Sequence, residues 1–455
     1  MKTAIKIIIG LLLAGGLFMF AFYRTPQERA FAKHLKLAQA GDMDAAIAVA
    51  EDYMSGTGTK PSTEKALSWY KQAAAADKPQ AAWELYQFYV QKGVFEQREE
   101  DLMDFAPDEE EPEFDSFEDG FPSAQGSSSR SGRNSVKSRR NDRAGDSFAG
   151  PSSMRRSGRN RARNAARRAQ ANKVLEEEKG LALAYLQSAA QADFIPAQQE
   201  MGNLYAQGNV MPKHEGQSLF WYFKAAKNGS SSAQAKVNAI ATENPALSAE
   251  MERFMQNFQG AQTEDPAAML EVARAYRSGT PILQDQTVAL EWYKKAWDKS
   301  DHKLSQAAFE LSDMYYKGEG TEPDPEKAAD FLAKAAELKN PQAQYLLGEA
   351  AYTDQPARME DAFAWFSNAA AQGHVKAQYM TGFMLLQGQG TAKSVPLAIR
   401  FFEQAAEQND PSAQYVLGQI YLKGLGVRRS PRQGRAWLER AVENGSEPAK
   451  EMLGI

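Results

Sequence analysis

Apolar and small residues return along the chain in one fixed phrase: AQYLLGEAAY at 343 to 352, AQYMTGFMLL at 377 to 386 and AQYVLGQIYL at 413 to 422. Within it, Leu417, Gly418 and Tyr421 fall on one face by helical spacing. The phrase therefore predicts a helix with one buried stripe. Aligned on its sixth residue, it has equivalents at Ala50, Tyr86, Gly202, Asn238, Ala273, Ser312, Gly348, Gly382, Gly418 and Gly454. The steps between these marks are 36, 116, 36, 35, 39, 36, 34, 36 and 36 residues, and the long one equals a normal step plus an insertion of 80. Nineteen residues past most marks stands an aromatic followed by small residues, as in WYKQAA from Trp69, WYFKAA from Trp221, WYKKAW from Trp292, FLAKAA from Phe331, FFEQAA from Phe401 and WLERAV from Trp437. Each unit is thus predicted to be two helices. A period in this range marks a stacked helical solenoid, whose product is an extended, grooved surface and not a closed catalytic pocket.

Glycine inside a helix costs about 1 kcal/mol relative to alanine. Its return at Gly202, Gly348, Gly382 and Gly418, with Ala50, Ala273 and Ser312 at the same register, predicts close approach of the second helix there. Tyr86 and Asn238 break the rule. Between the helices lie SGTG (55 to 58), KGEG (317 to 320), QGQG (387 to 390) and KGLG (423 to 426), suited to left-handed caps and tight turns.

These residues resemble the Sel-one-like repeat family, relatives of the tetratricopeptide repeat. The closest unit runs from Ala413 through Tyr415, Leu417, Gly418, Tyr421, Gly424, Gly426, Val427, Ala436, Trp437 and Ala441 to Gly445. The resemblance covers nearly all of 30 to 455 outside the insertion. It implies an all-α, right-handed alpha-alpha superhelix and an adaptor that holds proteins together; it transfers no catalytic residue. The unit around Asn238 lacks its glycine loop, and the one after Gly348 is two residues short there. By analogy with related helical repeats, the residues just after the marks are the candidates to line the groove: Gln87, Asn203, Arg274, Asp313, Glu349 and Gln419. The alternative is that they are ordinary solvated helix positions.

Before the repeats, Lys2 and Lys6 precede an apolar run at 7 to 22 that is barely long enough to cross a bilayer. Residues 1 to 24 are read as an uncleaved signal anchor in the inner membrane, single-pass, with the body in the periplasm. Cleavage, leaving a secreted or periplasmic body, is the alternative. Arg24, Arg29, Lys33 and Lys36 just past the segment keep a cytoplasmic-facing body open. Thr25, Pro26 and Glu28 then read as N-cap, first helical residue and capping-box acid. Repeats are expected over 25 to 93 and 173 to 455, and PAKEMLGI (448 to 455) as a half-unit covering the last apolar face.

Residues 94 to 172 are expected to be a disordered insertion, acidic and phenylalanine-bearing from 96 to 120, then rich in serine, glycine and arginine through 127 to 143 and 152 to 168. From about Arg161 its alanines permit a helix that could run on into the repeat. Three readings compete for the tract: a solvated polyampholyte, a contact to anionic lipid headgroups, and nucleic-acid binding. The last gains nothing from aromatic interleaving, since the basic half holds only Phe148.

A net charge of −5 does not mark the whole chain as a nucleic-acid binder, and the absence of cysteine excludes disulfides, thiolate metal sites and cysteine nucleophiles. Only His34, His214, His302 and His374 are available, none in HExxH spacing, and His374 lies in the turn between units, where a structural role is expected. GTGTKPST (56 to 63) lacks the GxxxxGK[ST] pattern of a phosphate loop. No catalytic, cofactor or metal residue is assigned. The expected function is a membrane-tethered scaffold binding protein partners through its groove, in bacterial envelope assembly, secretion or signalling. An envelope hydrolase or polysaccharide-acting protein is the rival reading.

Overall fold

The computed structural model describes residues 25–95 and 151–455. The apolar run at 7 to 22 and the acidic and first basic blocks of the insertion lie outside the described residues. Among those described, no helix is long and apolar enough to cross a membrane.

The described residues form twenty helices and no strand. The chain divides into two compact units, Met1–Met201 and Gly202–Ile455. In the first, α1 (Pro26–Gln39), α2 (Met43–Ser55), α3 (Thr63–Ala75), α4 (Pro79–Gln91) and α5 (Pro151–Gln191) pack in sequence, and α6 (Ile195–Gln207) begins. The second takes in α7 (Glu215–Lys227), α8 (Ser231–Glu243), α9 (Pro245–Gln262), α10 (Pro266–Ser278), α11 (Gln286–Lys299), α12 (Ser305–Lys317) and α13 (Pro325–Glu337). It continues with α14 (Pro341–Thr353), α15 (Met359–Ala371), α16 (Val375–Gln387), α17 (Val395–Glu407), α18 (Pro411–Lys423), α19 (Pro431–Glu443) and α20 (Glu447–Leu453). Even-numbered helices from α2 are the first helices of the repeats; odd-numbered ones are the second.

Local signals act as the sequence leads one to expect. Thr25 and Glu28 form the capping box, with Thr25 N–H donating to Glu28 Oε2 at 2.7 Å and Glu28 N–H to Thr25 Oγ1 at 3.1 Å. The first glycines of the four loops, Gly56, Gly318, Gly388 and Gly424, are left-handed C-caps. The second glycines do something further. Gly390, at φ +63, lies against the start of α15 in the preceding unit, where a Cβ would run into the Met359 carbonyl oxygen. The loop is therefore a contact between neighbouring units as well as a turn.

At the mark glycines Gly202, Gly348, Gly382 and Gly418 the two helices of a unit meet. A Cβ on Gly418 would stand 2.7 Å from Leu438 Cγ and 3.2 Å from the Gly434 carbonyl oxygen. Gly202, Gly348 and Gly382 stand in the same relation to the rings of Tyr222, Phe366 and Phe402. At Ser312 the hydroxyl fills the place and donates to the Ala328 carbonyl at 2.7 Å. The irregular marks differ as their side chains require. Tyr86 is buried and donates its hydroxyl to Glu200 at 3.0 Å, whereas Asn238 is exposed.

In most units the aromatic singled out by sequence is the neighbour of the one that fills the core. Phe402 and Tyr293 are wholly buried, and Phe401 and Trp292 only partly; Trp221 is buried along with Tyr222. The outer aromatic carries a cation one turn on: Lys295 Nζ stands 4.6 Å from the Trp292 ring centre and the Arg440 guanidinium 4.7 Å from that of Trp437. Such a pair contributes about 0.5–1 kcal/mol at an exposed site.

Two boundaries of the expected insertion move. Val94 is buried, and its N–H reaches the Tyr89 carbonyl at 3.2 Å, so the repeat extends past Gly93. Residues 151–172 are helical, in α5. Their charge suggested disorder, but arginine and alanine are strong helix formers, and extending a helix already nucleated by its packed part, from Ala182 to Ala190, avoids the nucleation cost. Lys92 and Glu178, paired at 2.5 Å, join the two sides of the insertion's base. α20 packs Ala449 and Leu453 with Leu438 and Ala441 of α19.

Two glycine-to-alanine changes should have opposite signs. Gly418→Ala adds a methyl where Leu438 already stands and should destabilise its unit by about 1–3 kcal/mol. Gly180→Ala, in a helix with nothing within 4 Å of the added carbon, should stabilise by about 0.5–1 kcal/mol. Urea unfolding of the two variants checks this, and a shared sign contradicts the packing account.

Candidate functional site

The six positions just after the marks do not share one environment. Gln87 lines a cleft of about 180 Å³ between α2, α3 and α4, with Glu51, Tyr70 and Glu84. Arg274 lines one of about 360 Å³ between α9 and α10, with Glu250, Arg253, Phe254 and Asn257. Arg274 also pairs with Glu271 at 2.6 Å and approaches Glu310 to 3.8 Å. Asp313 belongs to the adjoining network on Arg277, which binds Glu310 and Glu319 at 2.7 Å each and Asp313 at short range, while Lys317 reaches Asp313 at 2.8 Å. Burial works to raise the Asp313 pKa, but the hydrogen bonds from Lys317 and Arg277 outweigh it and hold the carboxyl below its ordinary value. Arg274 and Asp313 are thus brought together through Arg277 and Glu310. The remaining three serve their own repeats. Asn203 accepts from the Tyr222 hydroxyl at 2.8 Å, Glu349 from the Tyr345 hydroxyl at 2.6 Å, and Gln419 donates to the Tyr415 hydroxyl at 2.7 Å.

Sequence reasoning missed a buried polar ladder in the same phrase. Gln344, Gln378 and Gln414, four residues before their marks, are buried. Each donates Nε2 to a carbonyl in the last turn of the preceding helix: Ala336 at 3.0 Å, Ala370 at 3.4 Å and Ala406 at 3.0 Å. Each accepts at Oε1 from the side chain that ends its own unit's second helix: Gln372 at 2.8 Å, Gln408 at 2.9 Å and Asn444 at 3.0 Å. One glutamine thereby joins three helices, adding a second donor to a helix-end carbonyl that also accepts from a backbone N–H, that of Lys339 at 3.0 Å, Gly373 at 2.9 Å or Asn409 at 3.1 Å. The signal was the Q of AQY, polar within an otherwise apolar stripe.

The histidines are placed by the fold. His374 caps α16, its Nδ1 accepting from Ala377 N–H at 3.2 Å while its Nε2 bonds Gln342 Oε1 at 2.9 Å. His214 caps α7 in the same way through Gln217 N–H at 2.9 Å. His34 lies 2.9 Å from Asp52, and His302 stacks on Trp297. Burial first, then Lys376, push His374 below its ordinary pKa of 6.5, against the opposing pull of Glu349. Among the described residues no group of three or more histidine, aspartate or glutamate side chains converges as a metal site.

Paired helices of fixed length, a mark glycine against a second-helix side chain and a glycine loop nested on the preceding unit define a helical repeat protein. The Sel1 repeat model matches residues 44–78, 176–194, 195–230, 266–301, 305–340, 341–374, 375–410 and 411–446, and the chain belongs to that family. Residues 231–265, holding the exposed Asn238 and the long α9, fall outside every match. The chain is similar to a solved Sel1 repeat protein from Oxalobacter formigenes, at 26% identity over 62% of this chain and 80% of that one, with a TM-score of 0.41. It is also similar to a protective antigen of uropathogenic Escherichia coli with an SLR fold, at 22% identity over 92% and 80%, TM-score 0.32. An immunity protein from Pseudomonas aeruginosa matches at 21% over 56% and 83%, TM-score 0.27.

Two outcomes follow from the polar contacts. Gln414→Ala removes both hydrogen bonds of a buried side chain, to the Ala406 carbonyl and from Asn444, and should cost about 1–3 kcal/mol, while Gln419→Ala should stay within about 0.5 kcal/mol; unfolding midpoints separate them. For His374, the neutral ring is the form that caps. Its stabilisation is full above the unfolded-state pKa and is lost as pH falls through the lower folded-state value. The parent should lose stability between about pH 7 and about pH 5 more steeply than His374→Asn, whose amide caps at either pH. Parallel slopes would refute that role.

Proposed function

We propose that this Sel1 repeat protein is a scaffold that holds protein partners against the exposed edges of its first helices. The carrying observation is that the repeat uses its phrase residues internally and leaves polar clefts at two of the six positions, Gln87 and Arg274. Such clefts, which set carboxylates beside apolar side chains and, at Arg274, add guanidinium groups, suit polypeptide side chains. The finer reading adds a tether through residues 7 to 22 in the inner membrane, a periplasmic body, and a role in envelope assembly, secretion or signalling. The basic tract is assigned to anionic lipid headgroups, because a body beginning at the bilayer brings arginines near it.

A photoreactive residue at position 87 or 274 should capture protein partners in native membranes, and one at the exposed positions Lys71 or Glu439 should capture fewer. Equal capture at all four positions would contradict groove recognition. An alkaline phosphatase reporter fused to the C-terminus should be active for a periplasmic body; an inactive fusion would place the body in the cytoplasm.

A further inference from the structure

The cleft between α2, α3 and α4 has a composition that points to a particular kind of occupant. Glu51 and Glu84 stand on its rim, and Met54, Leu67 and Phe88 form apolar walls. No lysine or arginine lines it. Glu84 has no side-chain hydrogen-bond or ion-pair partner among the described residues, and the Glu51 carboxylate accepts only a long bond from Gln80 at 3.4 Å. Tyr70 lines the cleft with 5% of its surface exposed, and its hydroxyl has no hydrogen-bond partner among the described residues. With the rest of the ring buried, the hydroxyl opens on the cleft and is free to accept from something that enters. The two carboxylates repel: burial and then Glu51 raise the Glu84 pKa. A cation between them would relieve both effects at once.

On the reading of the chain as a protein-binding scaffold, we propose that this cleft receives one arginine side chain from a basic segment of a partner polypeptide, its stem against Met54, Leu67 and Phe88 and its guanidinium between Glu51, Glu84 and the Tyr70 hydroxyl. The volume of about 180 Å³ is below that of pockets built for whole small molecules and fits a single side chain. Guanidinium suits the place because its planar fork can bond two carboxylates and a hydroxyl together, which a compact ammonium does less well.

The test is fluorescence anisotropy of the full chain with a labelled peptide of glycine and serine carrying one central arginine, against the same peptide with citrulline, which keeps the shape and loses the charge. The arginine peptide should bind roughly tenfold more tightly and weaken as salt rises. Glu84→Gln and the exposed Glu51→Gln should each remove most of that difference, Tyr70→Phe should weaken binding several-fold, and Glu439→Gln, exposed and outside the cleft, should change nothing. Glu51→Gln guards against misfolding, since that side chain is exposed. Equal binding of the two peptides, or cleft variants that bind like the parent, overturns the proposal. So does binding that emerges only after serine replaces Arg130, Arg133, Arg139 and Arg140, which would assign the cleft to the chain's own basic block. Photocapture of partners at position 274 alongside a failed peptide test would sink the cleft and leave the scaffold standing; loss of capture at both positions would sink the scaffold itself.

Discussion

The contact on which the molecule depends is the one between the small residue of each first helix and the large side chain of the second. Gly418 faces Leu438 with no room for a methyl group, and Gly434 returns the compliment by leaving Leu422 and the Gly418 carbonyl within 2.9 Å of where its own Cβ would stand. A helix pair this close keeps dispersion contact along its whole crossing, which is how units of thirteen-residue helices, each too short to persist alone, remain ordered. The glutamine ladder is a consequence of the same closeness. With three helices packed together, the buried Gln414 amide must find its partners inside the protein, and it takes the Ala406 carbonyl and the Asn444 amide.

What the sequence made legible was whatever repeats. The mark glycines, the loop glycines, the Thr25 capping box and the closing half-unit all follow from periodic placement together with backbone chemistry, and each occurs where the pattern puts it. Less legible was anything requiring the depth of a side chain. Phe401 and Phe402 are adjacent aromatics, and only the crossing angle of two helices decides which one points inward; the eye settles on the first. The insertion failed in another way. Composition argued against order through residue 172, but α5 is continuous with a packed segment, and a tertiary anchor outweighs composition over several turns.

The six groove positions divide for a physical reason. In regular units the residue after the mark sits one turn from a tyrosine or beside its partner helix, so its polar group is taken up by Tyr345, Tyr415 or Tyr222. Where the pattern lapses, that use is lost and a cleft opens. Tyr86 displaces the small residue in the unit beside the insertion, and residues 231–265 drop the glycine loop and lengthen α9. The clefts therefore concentrate at departures from the repeat, and the regular units act as the frame that holds these departures in place.

The most direct measurement is a double-mutant cycle of Gly418→Ala and Leu438→Ala by urea unfolding. If the two side chains compete for one space, truncating Leu438 must make room for the methyl at position 418, so the double variant should be more stable than the sum of the single losses predicts, by about 0.5–3 kcal/mol. Additivity within about 0.3 kcal/mol would mean that the two helices are held by other contacts.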